Sequence, residues 1–206
     1  MKPLPRLYAI ADASFGDPVQ LSESLFAGGA RLVQVRNKKG SVRELLSQVE
    51  RILALAPIDA EVIVNDRVDV ALIADASGVH LGQTDLAPVH ARNILGSRRT
   101  VGFSTHNLEQ ALEAETMPVD YVAVGPIFPT STKENPDPVV GLENLATICR
   151  KISKPVVAVG GIQLENAPAV LAAGAASIAV IRDVLHSPNV SSRVQQWVEL
   201  LEAHAG

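Results

Sequence analysis

Eight short runs of aliphatic and β-branched residues punctuate the chain: LYAIAD (7–12), RLVQVRN (31–37), EVIVND (61–66), GVHLG (78–82), TVGFST (100–105), YVAVGPI (121–127), PVVAVGG (155–161) and SIAVIRD (177–183). Their length and composition predict strands. Between them lie segments whose apolar positions recur at three- and four-residue spacing, such as VRELLSQVERILAL and LENLATICRKI, and these predict helices. Ser41, Asn107 and Gly141 stand just before three such segments as candidate caps. Alternating strands and helices build either a closed (β/α)8 barrel or a doubly wound open sheet, and eight repeats favour the closed TIM barrel. We expect an α/β fold with one barrel domain over residues 1–206 and its active site at the carboxyl ends of the strands.

Composition narrows this further. Hydrophobic residues make up 47% of the chain but aromatic ones only 3%, so the core is expected to be Ala, Val, Leu and Ile, the residues of parallel sheets and their covering helices. A net charge of −4 argues against general affinity for nucleic acid, so any anion must be held by a local site. Cys149 is the single cysteine, which excludes an intrachain disulfide, and its helical setting reads as structural packing. No apolar run suits a signal peptide or a membrane span, and the expectation is a soluble, cytosolic chain.

In a parallel barrel the carboxyl ends of the strands converge on one mouth, and the polar residues collect there. The segment DYVAVGPIFPTSTK (120–133) runs from an apolar strand into a hydroxyl-rich loop. Thr130, Ser131 and Thr132 offer hydroxyls and N–H groups, Lys133 offers a point charge suited to phosphate, and Gly125 permits close approach. Alternation turns Gln34, Arg36 and Lys38 to one side of the second strand, where the cations meet either a ligand diphosphate or, for Arg36, a buried carboxylate. Asp66 and Asp85 follow neighbouring strands and suit magnesium, although each alone could form a turn, and Asp85 could cap LAPVHARNIL. Gly160 and Gly161 open backbone N–H groups to a phosphate, with Ile181 and Arg182 along the other wall. Ser104 and His106 are two apart on the fifth strand, but no acid partner supports a nucleophilic triad. His80 reads as a histidine of the barrel interior or one that stands behind the residues of the site, and His90, His186 and His204 as surface residues. The stretch ENPDPVVG after Lys133 reads as an exposed flap.

As an ordered set, QVRNK, VNDRVDVAL, GVHLGQTDL, VGFSTH, DYVAVGPIFPTSTK and PVVAVGGI resemble the thiamine phosphate synthase family over nearly the whole chain. The resemblance implies a (β/α)8 transferase that couples a pyrimidine diphosphate to a thiazole phosphate, with Mg2+ as cofactor. It implies that Gln34, Arg36, Lys38, Asn65, Ser104 and Lys133 hold the pyrimidine diphosphate, with Arg36, Lys38, Ser104 and Lys133 as the catalytic set. It further implies Asp66 and Asp85 on the metal, and Thr130, Ser131, Thr132, Gly161, Ile181 and Arg182 around the thiazole phosphate. Where the family usually has serine this chain has Arg182, and it has AIAD where the family often has Thr before the Asp; the backbone N–H at Arg182 survives the change. Partners are expected to be these small molecules, with no nucleic acid, no membrane and a possible homo-oligomer. Two rival readings are a thiazole phosphate tautomerase, whose members commonly carry a histidine at the position of Pro126, and a non-catalytic homologue that binds the phosphate ligand.

Overall fold

The computed structural model describes residues 3–130 and 138–204. Eight parallel strands close into a barrel in chain order: β1 Leu7–Asp12, β2 Leu32–Arg36, β3 Glu61–Asn65, β4 Gly78–Leu81, β5 Thr100–Thr105, β6 Tyr121–Val124, β7 Val156–Val159 and β8 Ser177–Val180. The ring is sealed by β1 and β8, with Leu7 opposite Ile178 and Ala9 opposite Val180. Helices α1 Pro18–Ala27, α2 Val42–Leu55, α3 Val68–Ile73, α4 Pro88–Leu95, α5 Leu108–Thr116, α6 Gly141–Lys151, α7 Ala167–Ala172 and α8 Arg182–Leu185 follow the strands in turn, and α9 Val190–Ala203 ends the described chain. Among the described residues no helix is long and apolar enough to cross a membrane.

Strand alternation divides the core into two layers. On β3, Val62 and Val64 pack outward under the helices, while Ile63 points into the barrel; on β7, Val156 and Ala158 pack outward and Val157 inward. Both faces are therefore buried, which is why these strands read as continuous apolar runs. The inner layer also contains Tyr8, Leu32, Tyr121 and Ala179. Barrel closure places the residues that follow each strand around a common rim.

Helix starts explain several loop positions. Ser41 Oγ accepts from Glu44 N at 3.2 Å and Asn107 Oδ1 from Gln110 N at 2.9 Å, as N-caps do. Gly141 is not a cap: it is the first residue of α6 at φ 76°, behind Val140, and it supplies a left-handed turn of the backbone at the helix entry. Asp85 is not a cap either. Helix α4 begins after Ala87, and the Asp85 carboxylate instead accepts from Gly82 N at 2.7 Å across its own loop. The eighth strand is shorter than its apolar run: extended structure stops at Val180, Ile181 turns at φ −126°, ψ −79°, and Arg182 starts the single turn of α8. The buried Trp197 donates from Nε1 to Asp183 at 2.6 Å, fastening α9 to α8.

Candidate active site

A cavity of about 1150 Å3 occupies the rim at the carboxyl ends of the strands and reaches into the barrel. One wall comes from β2 to β5 and their loops, and contains Gln34, Arg36, Lys38, Asn65, Asp66, Asp85 and Ser104. The facing wall contains Gly161, Ile181 and Arg182, with Thr130 between the two. Ser131, Thr132 and Lys133, with the first half of the flap expected after them, lie outside the described residues.

The basic wall is ordered by carboxylates. Asp12 and Arg36 are register partners at the ends of β1 and β2, and the Arg36 guanidinium donates from Nη1 to Asp12 Oδ2. Asp12 is only 2% exposed, and its other oxygen accepts from Ser14 N at 2.9 Å and Ser14 Oγ at 2.8 Å. The buried-carboxylate alternative for Arg36 is thus realised, yet Arg36 also borders the cavity. Lys38 lies beyond the end of β2, so strand alternation does not place it; its Nζ sits 3.1 Å from Asp66 Oδ2.

Asp66 follows β3 in a left-handed conformation, φ 63°, one that Asp tolerates better than most residues. Its N–H is held by His80 O at 2.8 Å. Burial pushes its carboxyl above the ordinary aspartate range; the adjacent Asp85 carboxyl adds to this, and Lys38 acts in the opposite sense. Two crowded carboxylates with an ammonium at one of them form a place where a cation relieves charge. Among the described residues no group of three or more His, Cys, Asp or Glu side chains assembles, so a metal ion here needs oxygens from ligand or water to complete its shell.

The facing wall is a backbone structure. Ile127 N donates to Val159 O and Phe128 N to Gly160 O, both at 3.0 Å, which draws the segment after β6 against the end of β7. Gly161 has φ 68°, and a Cβ there would lie 2.7 Å from the carbonyl oxygens of Phe128 and Pro129. Only glycine allows this approach, and it carries the chain from Pro129 to Thr130 at the cavity.

A family model described as thiamine monophosphate synthase matches residues 7–184. The chain belongs to that family. The thiamine-phosphate synthase of Koribacter versatilis is 46% identical over 97% of this chain and 97% of its own length. That of Myxococcus xanthus is 43% identical over 97% of this chain and 94% of its own. Among solved structures, thiamine phosphate pyrophosphorylase from Pyrococcus furiosus superposes with a TM-score of 0.90 at 37% identity, covering 98% of this chain and 97% of that one. The barrel and its single rim are therefore shared with members of the family along almost the full chain.

Sequence reasoning passed over two features next to this cavity. Asp12 is legible in the sequence, because it ends β1 as Arg36 ends β2. Less visible was the polar interior beneath the rim. Ser104 Oγ is bonded to His80 Nε2 at 2.8 Å and not to His106, whose Nδ1 meets Gly125 O at 2.6 Å. The rejected Ser–His pairing is absent because each side chain is engaged elsewhere. Tyr8 and Tyr121 belong to the same interior, and nothing in their apolar strands marks them as polar partners.

Proposed function

We propose that the chain is a thiamine phosphate synthase, a transferase that joins 4-amino-2-methyl-5-(diphosphooxymethyl)pyrimidine to 4-methyl-5-(2-phosphooxyethyl)thiazole, giving thiamine phosphate and pyrophosphate. The observation that carries this reading is the pairing, within one cavity, of a wall bearing Arg36, Lys38, Asp66 and Asp85 with a glycine-built wall at Gly161. The first suits a diphosphate and the second a phosphate monoester. Residues 1–206 act as one catalytic unit in this reading, with the reaction at the carboxyl ends of the strands.

The chemistry follows from charge. As the C–O bond of the pyrimidine methylene breaks, negative charge gathers on the departing pyrophosphate, where Arg36, Lys38 and Lys133 stabilise it. Asp66 and Asp85 would hold Mg2+, which would add to the neutralisation of the same charge. Gln34, Asn65 and Ser104 orient the pyrimidine, whose ring amino group donates electron density to the methylene cation. Thr130, Ser131, Thr132, Gly161, Ile181 and Arg182 hold the thiazole phosphate so that its ring nitrogen attacks that carbon and forms the new C–N bond. The attacking nitrogen carries no proton, so no general base is required, and positioning with leaving-group stabilisation supplies the rate. The partners are these small molecules. Exposed apolar residues on α3 and α4, among them Ile73 and Ile94, support self-association of the chain.

Incubating the chain with both substrates, with and without Mg2+, and assaying both products tests the reading. Thiamine phosphate and pyrophosphate are expected in equal amounts and only with the metal. Asp85→Ala is expected to lower kcat by about 100-fold or more, the cost of losing one contact to developing charge. Undiminished turnover in that variant removes the metal assignment.

A further inference from the structure

Five side chains from five different strands are hydrogen-bonded end to end across the barrel beneath the cavity. Gln34 Nε2 donates to Tyr8 Oη at 2.9 Å, Tyr8 Oη meets Tyr121 Oη at 3.0 Å, Tyr121 Oη meets His80 Nδ1 at 2.9 Å, and His80 Nε2 meets Ser104 Oγ at 2.8 Å. Gln34, Tyr8, His80 and Ser104 border the cavity, and Tyr121 joins them from within the barrel. Its middle is buried: Tyr8 is 1% exposed and Tyr121 0%.

Counting hydrogens gives the chain a direction. Tyr8 accepts from the Gln34 amide and has one proton of its own to place. With Tyr8 buried, that proton goes to the Tyr121 oxygen, the other hydrogen-bond partner of its hydroxyl, because an orphaned buried hydroxyl is costly. Tyr121 must then send its own proton to His80 Nδ1. An imidazole that accepts at Nδ1 carries its hydrogen on Nε2, and so His80 donates to Ser104 Oγ. Having accepted there, the Ser104 hydroxyl keeps its own proton for a partner in the cavity.

Two further features support this order. Burial pushes the Tyr8 and Tyr121 hydroxyls well above the usual phenol range, so both stay protonated as donors. The geometry is also held in place: the His80 and Tyr121 rings stack at 5.6 Å with 14° between planes, and Gly102 leaves the room that Tyr121 fills. A Cβ at Gly102 would lie 2.0 Å from Tyr121 Cζ.

We propose that this chain sets the hydrogen-bond polarity of the site: His80 is a positioning residue held as the neutral Nε2–H tautomer, and through it Ser104 is presented as a donor to an acceptor atom of the pyrimidine diphosphate. The second half rests on the reading of Ser104 as a substrate contact, whereas the tautomer does not. The relay explains why two distant side chains of the cavity are joined through otherwise unreactive tyrosines. It also makes Ser104 a directed donor that needs no reorientation when an anion arrives, the condition under which such a contact is strongest.

Nitrogen NMR of the intact chain labelled at histidine tests the tautomer without any variant, both ligand-free and with bound pyrophosphate. A protonated Nε2 and an unprotonated Nδ1 at His80 are expected; hydrogen on Nδ1 overturns the proposal. Kinetics test the consequence. Tyr121→Phe removes the donor to Nδ1, and should abolish the single-tautomer signature and raise the KM for the pyrimidine diphosphate by about tenfold, the worth of one hydrogen bond to a charged group. The KM for the thiazole phosphate should not move. His80→Gln, which keeps an N–H for Ser104, should retain more affinity than His80→Ala. If Ser104→Ala leaves the pyrimidine KM unchanged while the Nε2–H signature persists, Ser104 is not the donor and that part of the site reading fails on its own.

Discussion

Arg36 shows how a single neighbour changes the role of a charge. A guanidinium next to an anion site is expected to be free for the ligand, yet here one of its nitrogens is committed to Asp12, itself held by Ser14. The pair fixes a long side chain that otherwise loses rotamer freedom on binding, and it keeps the remaining donors of the fork at the cavity. Asp12→Ala leaves Arg36 without its buried counter-charge, and is expected to destabilise the fold by about 3 kcal/mol, at the low end for breaking such a pair. Pyrophosphate should restore part of that loss by supplying a new anion, a pattern that urea melts with and without pyrophosphate will show. Gln34, Arg36 and Asn65 were recognisable because polar residues at strand ends stand out against apolar interiors. Asp12 stands at its strand end as plainly as Arg36 does, whereas the His80–Ser104 bond was not legible, because a sequence does not say at what register two strands pair.

At the scale of elements, the eight strands were visible as apolar runs, while their ends were set by local backbone geometry. The runs at β6, β7 and β8 continue past the last paired residue, since Gly125, Gly160, Gly161 and Ile181 belong to the turns that leave the sheet. Those turns serve the site by letting the β6 loop rest on the end of β7. Gly161→Ala places a methyl against two carbonyl oxygens and forces alanine to positive φ, a strain on the order of 1–3 kcal/mol. The expected outcome is a raised KM for the thiazole phosphate with the KM for the pyrimidine diphosphate unchanged, measured by varying each substrate in turn. The Gly-Gly pair alone carries little information; the contact with Phe128 and Pro129 makes it specific.

For the whole molecule, Asp66 couples the site to folding. Its carboxyl titrates above the ordinary aspartate value in the folded chain, so the folded state binds that proton more tightly than the unfolded state does. The resulting stabilisation is fully present below the unfolded value, about pH 3.9, and is lost as pH rises through the raised folded value. Without metal, the difference in stability between the native chain and Asp66→Asn should therefore change with pH across the acidic range, with the native chain losing ground as pH increases. Mg2+ requires the ionised pair, so its stabilising effect should grow in the same direction. Thermal melts from about pH 4 to about pH 7, with and without Mg2+, measure both slopes. An increasing advantage of the native chain over the variant in metal-free melts contradicts the raised value.

Alternation of short apolar runs with helical periodicity was enough to determine a parallel α/β sheet, and the count of eight repeats favoured its closure into a barrel. The ordered motifs likewise determined the family. Tertiary structure decided the pairings that give the polar residues their direction: Asp12 with Arg36, Lys38 with Asp66, and the line from Gln34 to Ser104. The first two depend on the register of consecutive strands, and the third crosses the barrel from Tyr8 on β1 to Tyr121 on β6, a distance that only closure of the ring sets.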